Sequence, residues 1–360
     1  MRNGFAPILP CHDLDASLEY FIEELGFRIE VISPADGPQT ALLSGHGGLI
    51  RLQRVSGEYQ PVHAQVRCSD GDPRVGDLAV APNGSRIEFV AAEPALVIPE
   101  LSQELVVSTL AGNAQFGLGR ASMGYRDLVP DRQGGRFIAS HIRIAKGGPV
   151  PDYVHFHKVR FQMIFVYRGW VRLVYEDQGE PFILHAGDCV LQPPTIRHRV
   201  LESSDGLEVI EIACPAEHET IAEHVIELPT GQMVPDRLYG GQRFVRHDAK
   251  SSAWAPFRIG GFVQQDLGIG QATDGLAGAR VIASAGGGSW PLARVPNEFL
   301  FTFLMDGSAR LEVEGRQAEA ITAGDCFVIP AEAAYGLTEV SKDARLLEVS
   351  LPADLQPVPA

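Results

Sequence analysis

Cysteine is scarce in this sequence: five residues in 360, at positions 11, 68, 189, 214 and 326, with no CxxC pair. An odd, scattered set argues against a disulfide framework or a thiolate zinc site and reads as reduced thiols of a cytoplasmic protein. Long apolar runs are missing too, so no segment suits a membrane-spanning helix. The N-terminal stretch "MRNGFAPILPCHDLDASLEY" turns acidic early and lacks the apolar core of a secretory signal, and the expected localisation is cytoplasmic. Positive charge is in deficit, 30 Lys and Arg against 45 Asp and Glu, for a net charge of −15. That balance argues against a nucleic-acid partner gripped through phosphates, and no membrane partner is expected. A small anionic substrate stays compatible with it, because a site can be locally positive.

What is present is ordinary for a folded protein, 45% hydrophobic and 21% charged residues. The length suggests roughly two to three domains. Residues 1–93 mix element types. "FAPILP" reads as a strand, and "LDASLEYFIEEL" has helical apolar spacing with Asp13 or Asp15 as cap and Gly26 as stop. "FRIEVIS", "TALLSG" and "LIRLQR" read as strands, completing a βαβββ unit, and "SRIEFVAA" adds a strand after the turn "PNG". "EPALVIPELSQELV" is expected to form a helix with a proline near its start, and residues 94–118 are assigned as a linker.

The chain then repeats itself. "AGDCVLQPPTIRHRVL" (186–201) aligns without a gap with "AGDCFVIPAEAAYGLT" (323–338). "EVIEIACPA" (208–216) aligns with "RLLEVSLPA" (345–353), and "IRIAKGG" upstream resembles "VIASAGG". Each copy is a series of short β-rich runs between Gly, Pro and Asp turns, which reads as a sandwich or small barrel. Within the first copy, "YVHFHKVRFQMIFVYRGW" (153–170) sets two histidines and a glutamine in a strand-like apolar run. Buried polar groups are costly unless satisfied, and either a metal ion or hydrogen bonds in an ordinary core would satisfy these.

These residues resemble the cupin superfamily. Its first motif corresponds to Gly148, His155, His157, Gln162 and Gly169, and its second to Gly187, Pro193 and His198. Two copies make a bicupin, with residues 119–228 as the first barrel and 229–360 as the second. The first 93 residues resemble the glyoxalase/bleomycin-resistance (vicinal oxygen chelate) superfamily through "APILPCHDLDASLEYFIEELGF" and "PNGSRIEFV". Metal-binding relatives there carry a first-strand histidine where this chain has Ala6 or a neighbour, so only the fold is carried over and no metal is expected. Glu88 sits where such enzymes place a carboxylate ligand and is read as a surface or hydrogen-bonded residue. The expected fold class is mainly β: two tandem cupin (double-stranded β-helix, jelly-roll) barrels preceded by a small α+β βαβββ domain.

The cupin resemblance implies one divalent transition metal (Zn, Fe, Ni or Mn) held in the first barrel by His155, His157 and His198, with Gln162 near or bound. The physics agrees. Residues i and i+2 of a strand face one way, imidazoles suit first-row divalent ions, and such a set leaves coordination positions open for catalysis. The second copy acts as an internal control, with Ala293, Val295, Leu300 and Tyr335 at the matching positions and Glu298 near a short alignment gap. Glutamine in place of glutamate leaves the ion its full positive field, which favours Lewis-acid stabilisation of an enolate, carboxylate or phenolate. Similar sets in the family serve ring opening of unsaturated uronates and polyketide cyclisation, whereas three neutral histidines also serve iron dioxygenases.

Arg160, Arg197 and Tyr153 are the candidate catalytic residues. The two arginines, with Arg199, flank the ligands and suit a bidentate carboxylate contact, with surface salt bridges as the alternative. Tyr153, with Phe156, Phe161, Phe165 and Tyr167, suits an aromatic pocket, although strand alternation sends half of these outside. Cys189 and Cys326 recur at equivalent positions and read as buried thiols. The expected function is a metal-dependent bicupin enzyme acting on an oxygen-rich small molecule by enolate stabilisation, of isomerase, lyase or cyclase type. The alternatives are an Fe(II)-dependent dioxygenase and a non-catalytic small-molecule binding or sensor protein. The expected partner is an anionic or aromatic small-molecule substrate, and a homodimer is the family-level expectation.

Overall fold

The structure, a computed structural model, describes residues 4–286 and 288–359. The expected domain ends at residues 1 and 360, and the last glycine of "VIASAGG", lie outside the described residues. The chain divides into two units, Met1–Ala95 and Leu96–Ala360. No helix among the described residues is long and apolar enough to cross a membrane.

The N-terminal unit begins with strand Ile8–Cys11 and helix Leu14–Glu19, which widens through Tyr20–Glu24. The Asp13 side chain accepts from the Ala16 amide and starts the helix, and Gly26, at φ +73°, stops it. Strands Arg28–Ser33, Thr40–Gly45 and Gly48–Arg54 follow, and the first strand pairs in parallel with the last of these. This is the expected βαβββ order. The helix buries Leu14, Leu18 and Phe21 in one core with Leu43 and Leu52. A further sheet joins His63–Cys68, Arg86–Ala91 and Leu78–Val80.

The helix expected over "EPALVIPELSQELV" does not form. Pro99 lacks an amide hydrogen and its ring clashes with the preceding turn, so the segment runs irregularly. Its end, Val106–Ser108, pairs antiparallel with Cys326–Val328 in the second repeat copy. Of residues 94–118, Val106–Ser108 and Gly117–Leu118 are strands and the remainder is irregular. The reciprocal event occurs at Val245–His247, which pairs with Cys189–Leu191 of the first copy. The two copies exchange edge strands, and the boundary expected at 228/229 is crossed by this exchange.

Each copy is a double-sheet unit. In the first, one sheet runs through Cys189–Leu191, Phe161–Arg168, Leu207–Cys214 and Ile138–Ile144, and the other through Trp170–Tyr175, His198–Ser203 and His155–His157. Strand alternation divides the residues. Phe161, Met163, Phe165, Ile210 and Ile212 pack against Phe299, Phe301, Phe303 and Val349 in a seam between the copies. Phe137 stacks on Phe299 there at 4.3 Å. Gln162, Ile164, Val209 and Glu211 point the other way, into the first copy's interior. The second copy's interior is filled by its own core, including Trp290, Val295, Leu300, Tyr335 and Leu337. All five cysteines are free and buried. Burial raises the Cys189 thiol far above its usual range and pushes Cys326 up to about 12.

Candidate metal centre

Strand pairing sets His155 directly opposite His198. His157, two residues along the same strand, faces the same side. The three rings lie 4.3, 5.2 and 5.4 Å apart pairwise, and one ligating nitrogen from each falls within 4.8 Å of the others. All three side chains are buried.

The remaining ring nitrogens decide the tautomer. Nδ1 of His155 lies 2.8 Å from the Tyr153 carbonyl, Nδ1 of His157 3.0 Å from that of Glu219, and Nδ1 of His198 3.0 Å from that of Ile196. A carbonyl only accepts, so each Nδ1 carries the hydrogen and each Nε2 keeps its lone pair. Burial also holds the rings neutral. It lowers all three pKa values, His157 to about 3 with the neighbouring His218 adding to the effect, and His198 well below its ordinary value with its two partner histidines adding. Three neutral imidazoles with converging lone pairs and fixed outer hydrogen bonds fit a first-row divalent ion.

The lone pairs have donors beside them. Arg120 Nη2 lies 3.2 Å from His155 Nε2, and Gln192 Nε2 lies 3.1 Å from His198 Nε2. Gln162 belongs to the same network. Its Nε2 donates to Glu211 Oε1 at 2.7 Å, and its Oε1 is turned toward Gln192 Nε2 at 3.5 Å. Tyr175 closes the chain by donating to Gln192 Oε1 at 3.1 Å. The amide oxygen of Gln162 thus faces Gln192, which itself reaches His198, and its nitrogen faces a carboxylate. These groups line one end of a cavity of about 420 Å³ whose other walls are mostly aliphatic, with Tyr125 and Thr220 among them.

The structure therefore brings His155, His157, His198 and Gln162 into one cavity. It places the three catalytic candidates elsewhere. Arg160 pairs with both oxygens of Glu298 in the second copy, and Arg136 also donates to that carboxylate at 2.7 Å. This also locates Glu298 in the seam and not among ligands. Arg197 bonds Glu223 at 3.2 Å and lies over the Phe156 ring, and Arg199 is exposed. Tyr153 is 45% exposed and contributes no lining to the cavity. Of the other aromatics, Phe161, Phe165 and Tyr167 pack in the seam. In the N-terminal unit, Glu88 accepts from Gln65 at 2.9 Å and approaches His63 at 3.6 Å on an exposed face.

Sequence reasoning missed Arg120, Gln192, Glu211 and His218, all of which line the cavity. Arg120 is held by Asp152 from a turn in which Ala121 and Ser122 have φ of 53° and 61°. His218 stands 5.2 Å from His157, ring to ring. A signal existed for Glu211: the repeat matches it to Glu348, a charge that recurs between apolar neighbours in both strands.

The second copy repeats the frame without the ligands. Ala293 faces Tyr335 as His155 faces His198, and Leu300 faces Ser350 as Gln162 faces Ala213. Glu348 is fully buried and takes a two-pronged contact from Arg258 at 3.0 and 2.8 Å. Among the described residues, the three histidines of the first copy form the one cluster of three or more His, Cys, Asp or Glu side chains placed to hold a metal ion.

Residues 140–212 match the family model described as a cupin domain. No curated protein matches the sequence. Among solved structures, the formate complex of oxalate decarboxylase from Lactobacillus farciminis is similar with a TM-score of 0.53 at 14% identity, covering 74% of this chain and 90% of that one. A two-residue deletion mutant of the Bacillus subtilis oxalate decarboxylase gives 0.52 at 13% identity, covering 75% and 82%. At this identity the likeness speaks for fold alone, and the fold it shows is that of two tandem cupin units.

Proposed function

We propose that the first cupin unit holds one divalent metal ion on His155, His157 and His198 and acts as a non-redox enzyme, an isomerase, lyase or cyclase, on an oxygen-rich small molecule. The observation that carries this reading is the carboxylate of Glu211, which lies in the same cavity and is linked to His198 through the amides of Gln162 and Gln192. A bound ion would supply Lewis-acid polarisation of a substrate carbonyl oxygen. Glu211 is then the base that takes a proton from the carbon next to that carbonyl. Gln162 holds the carboxylate in position and turns a neutral oxygen toward Gln192, beside His198. Arg120 offers a cation for substrate charge, and the aliphatic walls keep water from competing.

An Fe(II) dioxygenase is the second reading, favoured by the three neutral imidazoles themselves. It gives Glu211 no role, and so ranks behind. The N-terminal unit we read as a glyoxalase/bleomycin-resistance-like module on its βαβββ order, and the whole protein as a cytoplasmic one on its free, buried thiols. The test is deuterium wash-in from D₂O, followed by NMR, at the carbon next to the carbonyl of 2-oxo acids and 1,3-diketones. It uses zinc-loaded protein under argon. Exchange that depends on Glu211 supports the proposal. Turnover only with iron and oxygen, and no exchange under argon, overturns it.

A further inference from the structure

The cavity of the first cupin unit changes character along its length, and strand register shows where. At one end stand His198 and its strand partner Tyr175. One inward step further, about 7 Å along the strands, the facing pair is Val200 and Leu173. On the opposite sheet, Gln162 lies at the imidazole end, the pair Ile164 and Glu211 comes next, and Val209 opposite Ile142 follows. The polar groups thus occupy one end and the level of Glu211, and beyond it the wall is mostly aliphatic, joined by Tyr125, the strand partner of Ile142. Arg120, at the polar end, lines the same space, and its neighbour Gly119 in the lining is exposed, which marks that side as open to solvent.

A compact dianion would leave most of this space unfilled. About 420 Å³ lies in the range of cavities that hold drug-sized molecules, ~300–1,000 Å³. Water is a poor occupant of an aliphatic wall, since it needs polar partners. The second cupin unit fills the same frame with side chains: Trp290 and Tyr335, 5.9 Å apart, pack into its interior.

We infer that the substrate is an amphiphilic oxo acid. Its carboxylate and neighbouring oxygen sit between Arg120 and the metal position, and an apolar chain or ring extends past Glu211 into the space bounded by Ile142, Ile164, Leu173, Val200 and Val209. This rests on the metal reading above, but not on the reaction assigned to it.

The test measures binding and not turnover. Calorimetry on zinc-loaded protein gives the Kd of pyruvate, 2-oxobutanoate, 2-oxohexanoate, 2-oxooctanoate and phenylpyruvate, with oxalate as the compact control. Affinity is expected to rise roughly fourfold per added methylene, the about 0.8 kcal/mol of burying one, with oxalate among the weakest ligands. The variant Val209→Phe, checked to carry the same zinc content, is expected to cost 2-oxooctanoate at least tenfold and pyruvate less than twofold. An affinity independent of chain length, oxalate as the tightest ligand, or no binding by any member overturns the inference. A clear chain-length gradient without deuterium wash-in would uphold the substrate class while removing the proposed reaction.

Discussion

Gln162 Nε2 and Glu211 Oε1 lie 2.7 Å apart, and this bond fixes which way the Gln162 amide faces. The carboxylate accepts only, so the nitrogen must point to it and the oxygen to the Gln192 amide beside His198. A glutamate at this position would face another carboxylate. Like charges at that distance force one to keep its proton. Gln162→Glu is therefore expected to tighten metal binding only above a raised carboxyl pKa, giving a pH-dependent affinity that the wild type lacks. The double variant Gln162→Glu/Glu211→Gln restores a donor–acceptor pair. It should bind zinc most tightly and exchange protons slowest, measured by competition with a chelating dye and by deuterium wash-in. Equal pH profiles for wild type and Gln162→Glu would refute the paired arrangement.

Glu211→Gln removes the base while keeping a hydrogen-bonding side chain. Deuterium wash-in should fall by about 10²–10⁴-fold, the usual contribution of a positioned general base. Zinc content should stay unchanged. A variant as fast as wild type would assign the proton transfer to another group.

The buried histidines predict a pH signature in the metal-free protein. Their folded-state pKa values are depressed, His157 to about 3, so below the ordinary ~6.5 the unfolded chain binds more protons than the folded one. Stability should fall as pH drops from 6.5 toward 3, by up to about 1.4 kcal/mol per pH unit for each such histidine. Urea melts of chelator-treated protein between pH 7 and pH 5 would show it. Stability that is flat across this window would mean that the rings are hydrated and protonate freely.

Arg160 and Glu298 join the two copies across their seam. Arg160→Ala should lower stability by roughly 1–2 kcal/mol, discounted because the pair is partly exposed. It should change substrate turnover less than twofold. A large loss of turnover at unchanged stability would return Arg160 to the list of catalytic candidates.

Glu348 is the second copy's counterpart of Glu211, and here it is a structural charge. Arg258 and Arg280 surround it in a fully buried position. Glu348→Gln should destabilise the protein by about 3–5 kcal/mol, because it strands a buried guanidinium. The zinc stoichiometry of whatever folds should not change. A mild effect would show that water reaches Arg258.

Much of this was legible in the sequence, for reasons specific to each part. The HxH pair, Gln162 and His198 stand at spacings that a strand converts directly into a common face. The gapless repeat matched Tyr335 to His198, and alignment back from Gly307 matched Ala293 to His155, as the strand register does. Arg120 was not legible, because a left-handed turn and not a periodicity brings it to the histidines. Glu211 was passed over within the repeat, although its recurrence as Glu348 marked it. The misplaced helix over 93–106 followed apolar content and overlooked Pro99. The exchange of Val106–Ser108 and Val245–His247 between copies is a long-range pairing that no local signal announces.

The central claim is a single metal ion held by three histidines of the first copy. Elemental analysis of protein purified without chelator tests it most directly, comparing wild type with His155→Ala, His157→Ala, His198→Ala and Tyr335→Phe. The account predicts one divalent ion per chain in the wild type and in Tyr335→Phe, and less than a tenth of that in each histidine variant. Two ions per chain, or full occupancy in folded protein lacking any one of the three histidines, would contradict it.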